Sequence, residues 1–351
     1  MDNQEKIKVG ITHGDINGIS YEIIIKTLID PRINELCVPI VYGSAKVAAY
    51  HKKALGIQNF NLNIARDAEK INMTKSNVIN CLDDSIRVEL GKCTRDGGKA
   101  SLQALEKATE DLKKGMIDVL VTAPINKENI QSEKFTFPGH TEYLMEHFDG
   151  KDTLMLMVSD IMKVGLVTAH VSLKQVPEIL TQDLILRKLN VMSHSLLKDF
   201  KIRKPKIAVF GLNPHSSDGG ILGNEENDII IPAIQRAKEQ DIMAFGPYAA
   251  DGFFGTSNIK KFDAILAMYH DQGLAPFKAI SFDEGINFTA GLNIIRTSPD
   301  HGTAYELAGK NEASPDSFRN ALYYALDIYK NRKEYEKLTS NKLESYDKTD
   351  N

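Results

Sequence analysis

Three histidines stand just past apolar runs in this chain: His170 in "VGLVTAHVSL", His215 in "PKIAVFGLNPHSSDGG" and His270 in "FDAILAMYHDQG". Neutral imidazole is the commonest metal-binding side chain. Three protein ligands with an open position form the catalytic arrangement of a divalent metal. The three are far apart in sequence, so no local zinc motif supports them. Each alone could be a loop histidine bonded to backbone or water; three at matching positions ask for a common role. Asp271 follows His270 directly and could orient an imidazole. Asp218, in "HSSDGG", could do the same or simply stabilise a turn.

A second set of residues suits anions. "FPGHTEYLMEHF" (137–148) sets Pro138-Gly139 ahead of His140 and Thr141, and Thr141 with a following acid resembles a helix start. Helix N-termini bind anions through free N–H groups, and a plain capped helix is the equal alternative. The stretch 273–304, "GLAPFKAISFDEGINFTAGLNIIRTSPDHGTA", isolates Lys278, Asn287 and Arg296 among apolar neighbours. Cationic side chains held that way often grip phosphate or carboxylate, although each taken singly is more often a surface charge or a salt bridge. "SPDHGTA" (298–304) reads as a Gly-containing loop leading into a helix start at "YELAGK", able to cradle a phosphate or an adenine.

These residues need a scaffold, and the chain alternates strand, loop and helix. Short β-rich runs are "KVGIT" (8–12), "VPIVYG" (38–43), "DVLVTAP" (118–124), "LMLMVS" (154–159), "KVGLVTA" (163–169), "KIAVFGL" (206–212) and "DAILAM" (263–268). Helical periodicity marks 98–115, where Leu102, Leu105, Ala108 and Leu112 share a face and Gly115 is a stop signal, and also 181–200. The polar end after residue 330 reads as a fraying helix. This alternation predicts an α/β fold with a largely parallel sheet, in which sites gather at the C-terminal ends of strands. No GxGxxG follows a strand, no GxxxxGK[ST] occurs, and GxSxG is missing. The Rossmann fingerprint, the common P-loop and the hydrolase nucleophile elbow are thereby excluded.

Composition bounds the partners. The 351 residues carry a formal net charge of -4 and no long basic block, so nucleic acid and anionic membrane are poor partners. No apolar run of membrane-spanning length occurs, and the N-terminus lacks the apolar core of a signal peptide. Three cysteines without CxxC spacing fit a reducing cytoplasm.

Together "DVLVTAPINK", "FPGHTE", "TAHVSL", "LNPHSSDGG", "MYHDQGLAPFK" and "INFTAGLNIIRTSPDHGTAYELAGK" resemble the 4-hydroxythreonine-4-phosphate dehydrogenase family of vitamin B6 biosynthesis, in the family's order and over about residues 7–330. "TSPDHGTAYELAGK" also resembles the cofactor loop of isocitrate and isopropylmalate dehydrogenases. The likeness implies their fold, two α/β domains with a cleft between them, which binds NAD without a Rossmann fingerprint. The first domain would be 1–130 plus 300–351. The second, 131–299, would carry the metal ligands and a dimer interface.

By this resemblance the metal ligands are His170, His215 and His270, and the substrate contacts are His140, Thr141, Lys278, Asn287 and Arg296. The NAD contacts would be His301, Gly302 and Ala304. Asp251 and Lys278 are candidates for the general base. The metal would be zinc, cobalt, manganese or magnesium, and the site would lie at a homodimer interface with both subunits contributing metal ligands. The cofactor would be NAD, with NADP as the alternative; no Arg cluster near the loop favours a 2′-phosphate.

The implied reaction oxidises a phosphorylated hydroxy amino acid, 4-phosphohydroxy-L-threonine, and the β-keto acid then loses carbon dioxide. Alternatives are a sister dehydrogenase of a threonate or erythronate phosphate or of a dihydrodiol carboxylate, a phosphate acyltransferase of the wider fold, and a non-catalytic sugar-phosphate binding protein. Three departures stand out. Asp15 replaces a frequent Glu in the first loop, "THGDINGISYE". Asp218 stands where many members have Glu. Asp283-Glu284 replaces a frequent Gly-Arg pair, which removes a positive charge near the substrate loop.

Overall fold

The computed structural model describes residues 6–83, 85–281 and 284–341. Asp283 and the polar end from 342 onward lie outside the described residues. Twelve strands form one mixed sheet: β1 (Ile7–Thr12), β2 (Cys37–Gly43), β3 (Asn63–Ala65), β4 (Asn77–Asn80), β5 (Val119–Thr122), β6 (Leu154–Val158), β7 (Lys163–Leu166), β8 (Ile207–Phe210), β9 (Ala244–Tyr248), β10 (Ala264–Ala267), β11 (Ile286–Ala290) and β12 (Arg296–Pro299). Their order is β3-β4-β2-β1-β5-β12-β11-β6-β7-β10-β8-β9.

The two flanks are parallel, and the middle, β12-β11-β6-β7, is antiparallel. Parallel strands are covered on both faces and read as near-continuous apolar runs. Every residue of β2, β5, β8 and β10 is accordingly buried. All seven expected strands are present, and the fold is the mixed α/β architecture expected of the isocitrate/isopropylmalate dehydrogenase-like class. Strands from residues 7–122 build one flank and strands from 154–290 the other; β12 pairs with β5 on one side and β11 on the other.

The helices follow their sequence signals. Arg95–Lys113 starts at Thr94, whose Oγ1 accepts the Gly97 N–H at 3.1 Å, and buries Leu102, Leu105, Ala108 and Leu112. It ends before Gly115, whose φ of 68° only glycine adopts freely. Two local expectations are corrected. The helix His140–His147 begins one residue before Thr141 without a side-chain cap, so Thr141 is not the capping residue. "YELAGK" forms only a three-residue 3₁₀ turn, Tyr305–Leu307, because Ala304 is left-handed and Gly309 turns the chain away.

Behind the first loop, His13, Tyr21 and His51 stack in the interior, with ring centroids 5.3 Å and 5.0 Å apart. Burial pushes both imidazoles from an ordinary value of 6.5 down to about 4. The folded chain keeps both rings neutral while the unfolded chain protonates them. Stability is therefore full above about pH 6.5 and falls as pH drops towards 4, by up to about 1.4 kcal/mol per pH unit for each ring. A urea midpoint lower at pH 5 than at pH 7 is expected, and His13→Phe, which keeps the stack, should roughly halve the difference, His51 still contributing. An equal loss on acidification in wild type and variant would show that His13 is not the group responsible.

Candidate active site

The parallel strands β7, β10 and β8 lie side by side in that order. Their C-terminal ends release His170, His270 and His215 respectively, so three residues remote in sequence emerge along one edge. His270 comes from the middle strand and is the first residue of the helix His270–Ile280.

The His170 and His270 rings are half-exposed, with centroids 6.2 Å apart. Nδ1–H of His270 donates to Asp271 Oδ1 at 2.7 Å, and Nδ1 of His170 lies 3.8 Å from Glu142 Oε1. The carboxylate at Nδ1 of His270 orients that ring and leaves its Nε2 for a metal, while Glu142 lies beyond hydrogen-bond distance of His170; two imidazoles side by side are donors that suit a divalent cation. Asp271 therefore does sit where an orienting partner should. Glu142 was overlooked in the sequence, visible there only as the acid after Thr141.

His215 stands apart. His170 and His270 line a hollow of about 350 Å³. His215 and Asp251 line a second, of about 480 Å³, and Tyr269 borders both. Among the described residues of one chain, no group of three or more His, Cys, Asp or Glu side chains is arranged to hold a metal. His215 opens a left-handed run through Gly219, with φ between 49° and 71°. That conformation costs roughly 1–2 kcal/mol for each non-glycine residue. It is held by Glu226, whose Oε1 accepts the N–H groups of Leu212 and Asn213 at 2.7 Å, and by Ser216, which donates to the Pro247 carbonyl at 3.2 Å. Asp218 is exposed within this turn and bonds no histidine.

The anion set is centred on Arg296. Among the described residues two arginines are buried, Arg332 at 6% and Arg296 at 4% exposure. Arg332 is neutralised, its Nε donating to Asp199 Oδ1 at 2.6 Å. Arg296 has no carboxylate within salt-bridge distance among the described residues; its Nε and Nη2 donate to Thr122 Oγ1, at 3.0 Å and 2.7 Å. Burial pulls its guanidinium down to about 10, which leaves it charged at neutral pH.

Arg296 Nη2 also lies 3.4 Å from His140 Nδ1. Burial, then the Arg296 charge, holds His140 well below the ordinary histidine value. A neutral ring accepting at Nδ1 carries its proton on Nε2, and that atom is buried without a partner. Asn287 pairs with Ser298, two residues along β12 from Arg296, so strand alternation sets both on one face. Asn287 Oδ1 is likewise buried and unpartnered. A buried cation and an orphan donor side by side fit an anionic group, and the orphan Asn287 oxygen on the same sheet face, an acceptor, fits a hydroxyl or ammonium of the same ligand. Glu142, two residues after His140, links this set to His170.

Lys278 lies beside Asp300, Nζ to Oδ1 3.3 Å. Burial raises the Asp300 carboxyl, against the pull of Lys278 and His270. A third hollow, of about 460 Å³, is lined by Ile19, Lys278, Asp300, His301, Ala304 and Glu312, among others. His301 Nδ1–H donates to the Gly302 carbonyl at 3.1 Å, so the neutral ring leaves Nε2 as a buried, unpartnered acceptor; a Cβ added at Gly302 would meet nothing, so the loop offers both an acceptor and open space for a bound group. Thr141 is half-buried and its hydroxyl makes no protein bond.

Residues 35–325 match the family described as Pyridoxal phosphate biosynthetic protein PdxA. The chain is 51% identical over 350 residues to the 4-hydroxythreonine-4-phosphate dehydrogenase of Bacteroides thetaiotaomicron, covering 99% of this chain and 96% of that protein. It is 41% identical over 331 residues to the protein of the same name from Sulfurihydrogenibium sp., covering 93% and 100%. The crystal structure of 4-hydroxythreonine-4-phosphate dehydrogenase from Klebsiella pneumoniae superposes with a TM-score of 0.81 at 31% identity, over 94% of this chain and 99% of that one.

Proposed function

The chain belongs to the pyridoxal phosphate biosynthetic PdxA family, and from that premise we propose that it is a metal-dependent NAD oxidoreductase of pyridoxal 5′-phosphate biosynthesis, acting in the cytoplasm. It oxidises 4-phosphohydroxy-L-threonine to 2-amino-3-oxo-4-phosphooxybutanoate, which loses carbon dioxide to give 3-amino-2-oxopropyl phosphate. The observation that carries the reading is Arg296, a buried guanidinium without a carboxylate partner, flanked by an orphan donor on His140. A phosphorylated amino acid carries two anionic groups suited to such a place.

His170, His215 and His270 would hold a divalent metal in a homodimer, with the third ligand supplied across the interface. The metal, when bound, supplies Lewis-acid polarisation of the substrate oxygen. The remaining work falls to the chain's own side chains. Arg296 and His140 bind one anionic group and fix the substrate's orientation. Neutral His140 donates a hydrogen bond there without adding a second charge beside Arg296. Thr141 and Asn287 offer further polar contacts, and Lys278 lies where Asp300 holds its ammonium. Asp251, or Lys278 in its deprotonated form, accepts the hydroxyl proton. Oxidising a secondary alcohol needs a hydride acceptor, and the hollow around His301, Gly302 and Ala304 would take NAD.

The test is a steady-state assay of NADH absorbance with 4-phosphohydroxy-L-threonine, NAD and a panel of divalent metals. NADH should form, vanish on chelation and return with added metal. Faster turnover of threonate or erythronate phosphate, by kcat/KM, would move the chain to a sister dehydrogenase. Turnover indifferent to chelator would remove the metal.

A further inference from the structure

We propose that Asp15 is a positioning residue for the cofactor, acting through Tyr305 to set the loop 300–304 against the hollow behind it. The inference rests on the reading of that hollow as the nicotinamide cofactor site.

Asp15 is fully buried at 0% exposure and has no cationic partner. Neutral donors satisfy it entirely. Oδ1 accepts the Asn17 N–H at 2.8 Å, and Oδ2 accepts Asn129 Nδ2 at 2.7 Å and the Tyr305 hydroxyl at 2.8 Å. A buried carboxylate held this way is costly unless every bond is kept. The bond to Tyr305 joins residues 290 apart in sequence. Tyr305 follows directly on the segment that carries His301, Gly302 and Ala304.

The first loop grips that segment at a second point. The Ile19 N–H donates to the Thr303 carbonyl at 3.0 Å, and a Cβ at Gly18 would come within 2.4 Å of the same oxygen. Ile19 itself lines the hollow with His301 and Ala304. Ala304 has φ 41° and is followed by only a short 3₁₀ turn, so no regular element fixes the segment locally. A left-handed alanine costs roughly 1–2 kcal/mol and persists only where its surroundings determine it. The clasp from Asp15 and Ile19 supplies that determination on both sides of it. The carboxylate also needs glycine opposite it, because a Cβ at Gly97 would come within 2.8 Å of Asp15 Oδ1.

Asp15 lines none of the hollows described above, so its influence on a bound cofactor must pass through the loop. Removing one hydroxyl isolates it. Tyr305→Phe keeps the ring and deletes the bond to the carboxylate. NADH affinity, read from the fluorescence of the bound nicotinamide in the intact metal-loaded protein, should weaken about tenfold, as expected for one charge-assisted bond. The chain contains no tryptophan, so that signal has no indole background. KM for NAD should rise while kcat and the affinity for the phosphorylated substrate stay within about twofold. Asp15→Asn, which keeps an acceptor for Tyr305, should fall between the two, and the double variant should be no weaker than the worse single one.

Wild type that binds NADH alongside a Tyr305→Phe variant that binds it equally well would overturn the clasp alone. Equal weakening of NADH and substrate would also overturn it, as general disorder rather than positioning. Failure of the wild type to bind NADH would overturn the cofactor reading and the clasp with it.

Discussion

His270→Ala is expected to lower kcat by about a thousandfold and to leave the purified protein with little bound divalent metal. The loss follows from the several kcal/mol that a Lewis-acid metal contributes to a reaction of this type, at about 1.4 kcal/mol per decade of rate. His270 is the candidate ligand to test first because β10 lies between β7 and β8, and its ring stands 6.2 Å from that of His170. Its side chain is 39% exposed and its hydrogen-bond partner is the neighbouring Asp271. Truncation should therefore leave the melting temperature within a degree or two. Retained metal with retained activity would sink the three-histidine site.

The same variant reports on how the site is divided between subunits. His170 and His270 stand together in one protomer, while His215 sits beyond Tyr269. If the partner supplies His215, a refolded mixture of His270→Ala and His215→Ala chains forms heterodimers with one intact site. It should then regain about a quarter of wild-type activity. A mixture of His270→Ala with His170→Ala should regain none, because both lesions fall on the same half-site. Recovery in neither mixture would place all three ligands in one chain.

How much of this could be read in advance depends on what the site asks of its strands. β7, β8 and β10 are apolar and buried, and they announce themselves; their adjacency, which aligns the histidines, is a tertiary fact that no local pattern encodes. β11 and β12 went unanticipated for a different reason. Their residues include Asn287, Thr289, Arg296, Thr297 and Ser298, and polar side chains in the middle of a sheet erase the alternation by which strands are recognised. The pattern fails where the candidate site lies, since local rules are broken where binding needs them broken. Lys278, Asn287 and Arg296 were visible as isolated polar residues, but only burial separates Arg296 from an ordinary surface charge. Thr122, Glu142 and Tyr305 left no signal of their own, because each matters through a partner more than 25 residues away. Asp15 stands out in the sequence as a departure from the family's pattern, but its bond to Tyr305, 290 residues away, leaves no local trace.

Arg296→Met is expected to cut turnover severely and stabilise the protein at once. Truncating one side of a buried, hydrogen-bonded charge pair costs about 2–5 kcal/mol of binding, so kcat/KM should fall by about a thousandfold. Without ligand, the same guanidinium is a buried charge whose only protein acceptors are Thr122 Oγ1 and, at 3.4 Å, His140 Nδ1. Desolvation opposes it, as its lowered pKa reports. A methionine of similar length removes that penalty, as replacement of buried ions by apolar residues commonly does, for a gain of about 1–3 kcal/mol. The melting temperature of the free protein should rise by about 2–4 °C. Arg332→Met is the contrasting case. It strips the partner from Asp199 and should lower the melting temperature instead, because it leaves a buried carboxylate uncompensated. Added phosphorylated substrate should raise the wild-type melting temperature by mass action and leave that of Arg296→Met unmoved. If Arg296→Met is destabilised as Arg332→Met is, Arg296 belongs to the scaffold and the anion site must be sought elsewhere. Opposite signs for two arginines buried to similar depth would show that one was placed for folding and the other for the ligand.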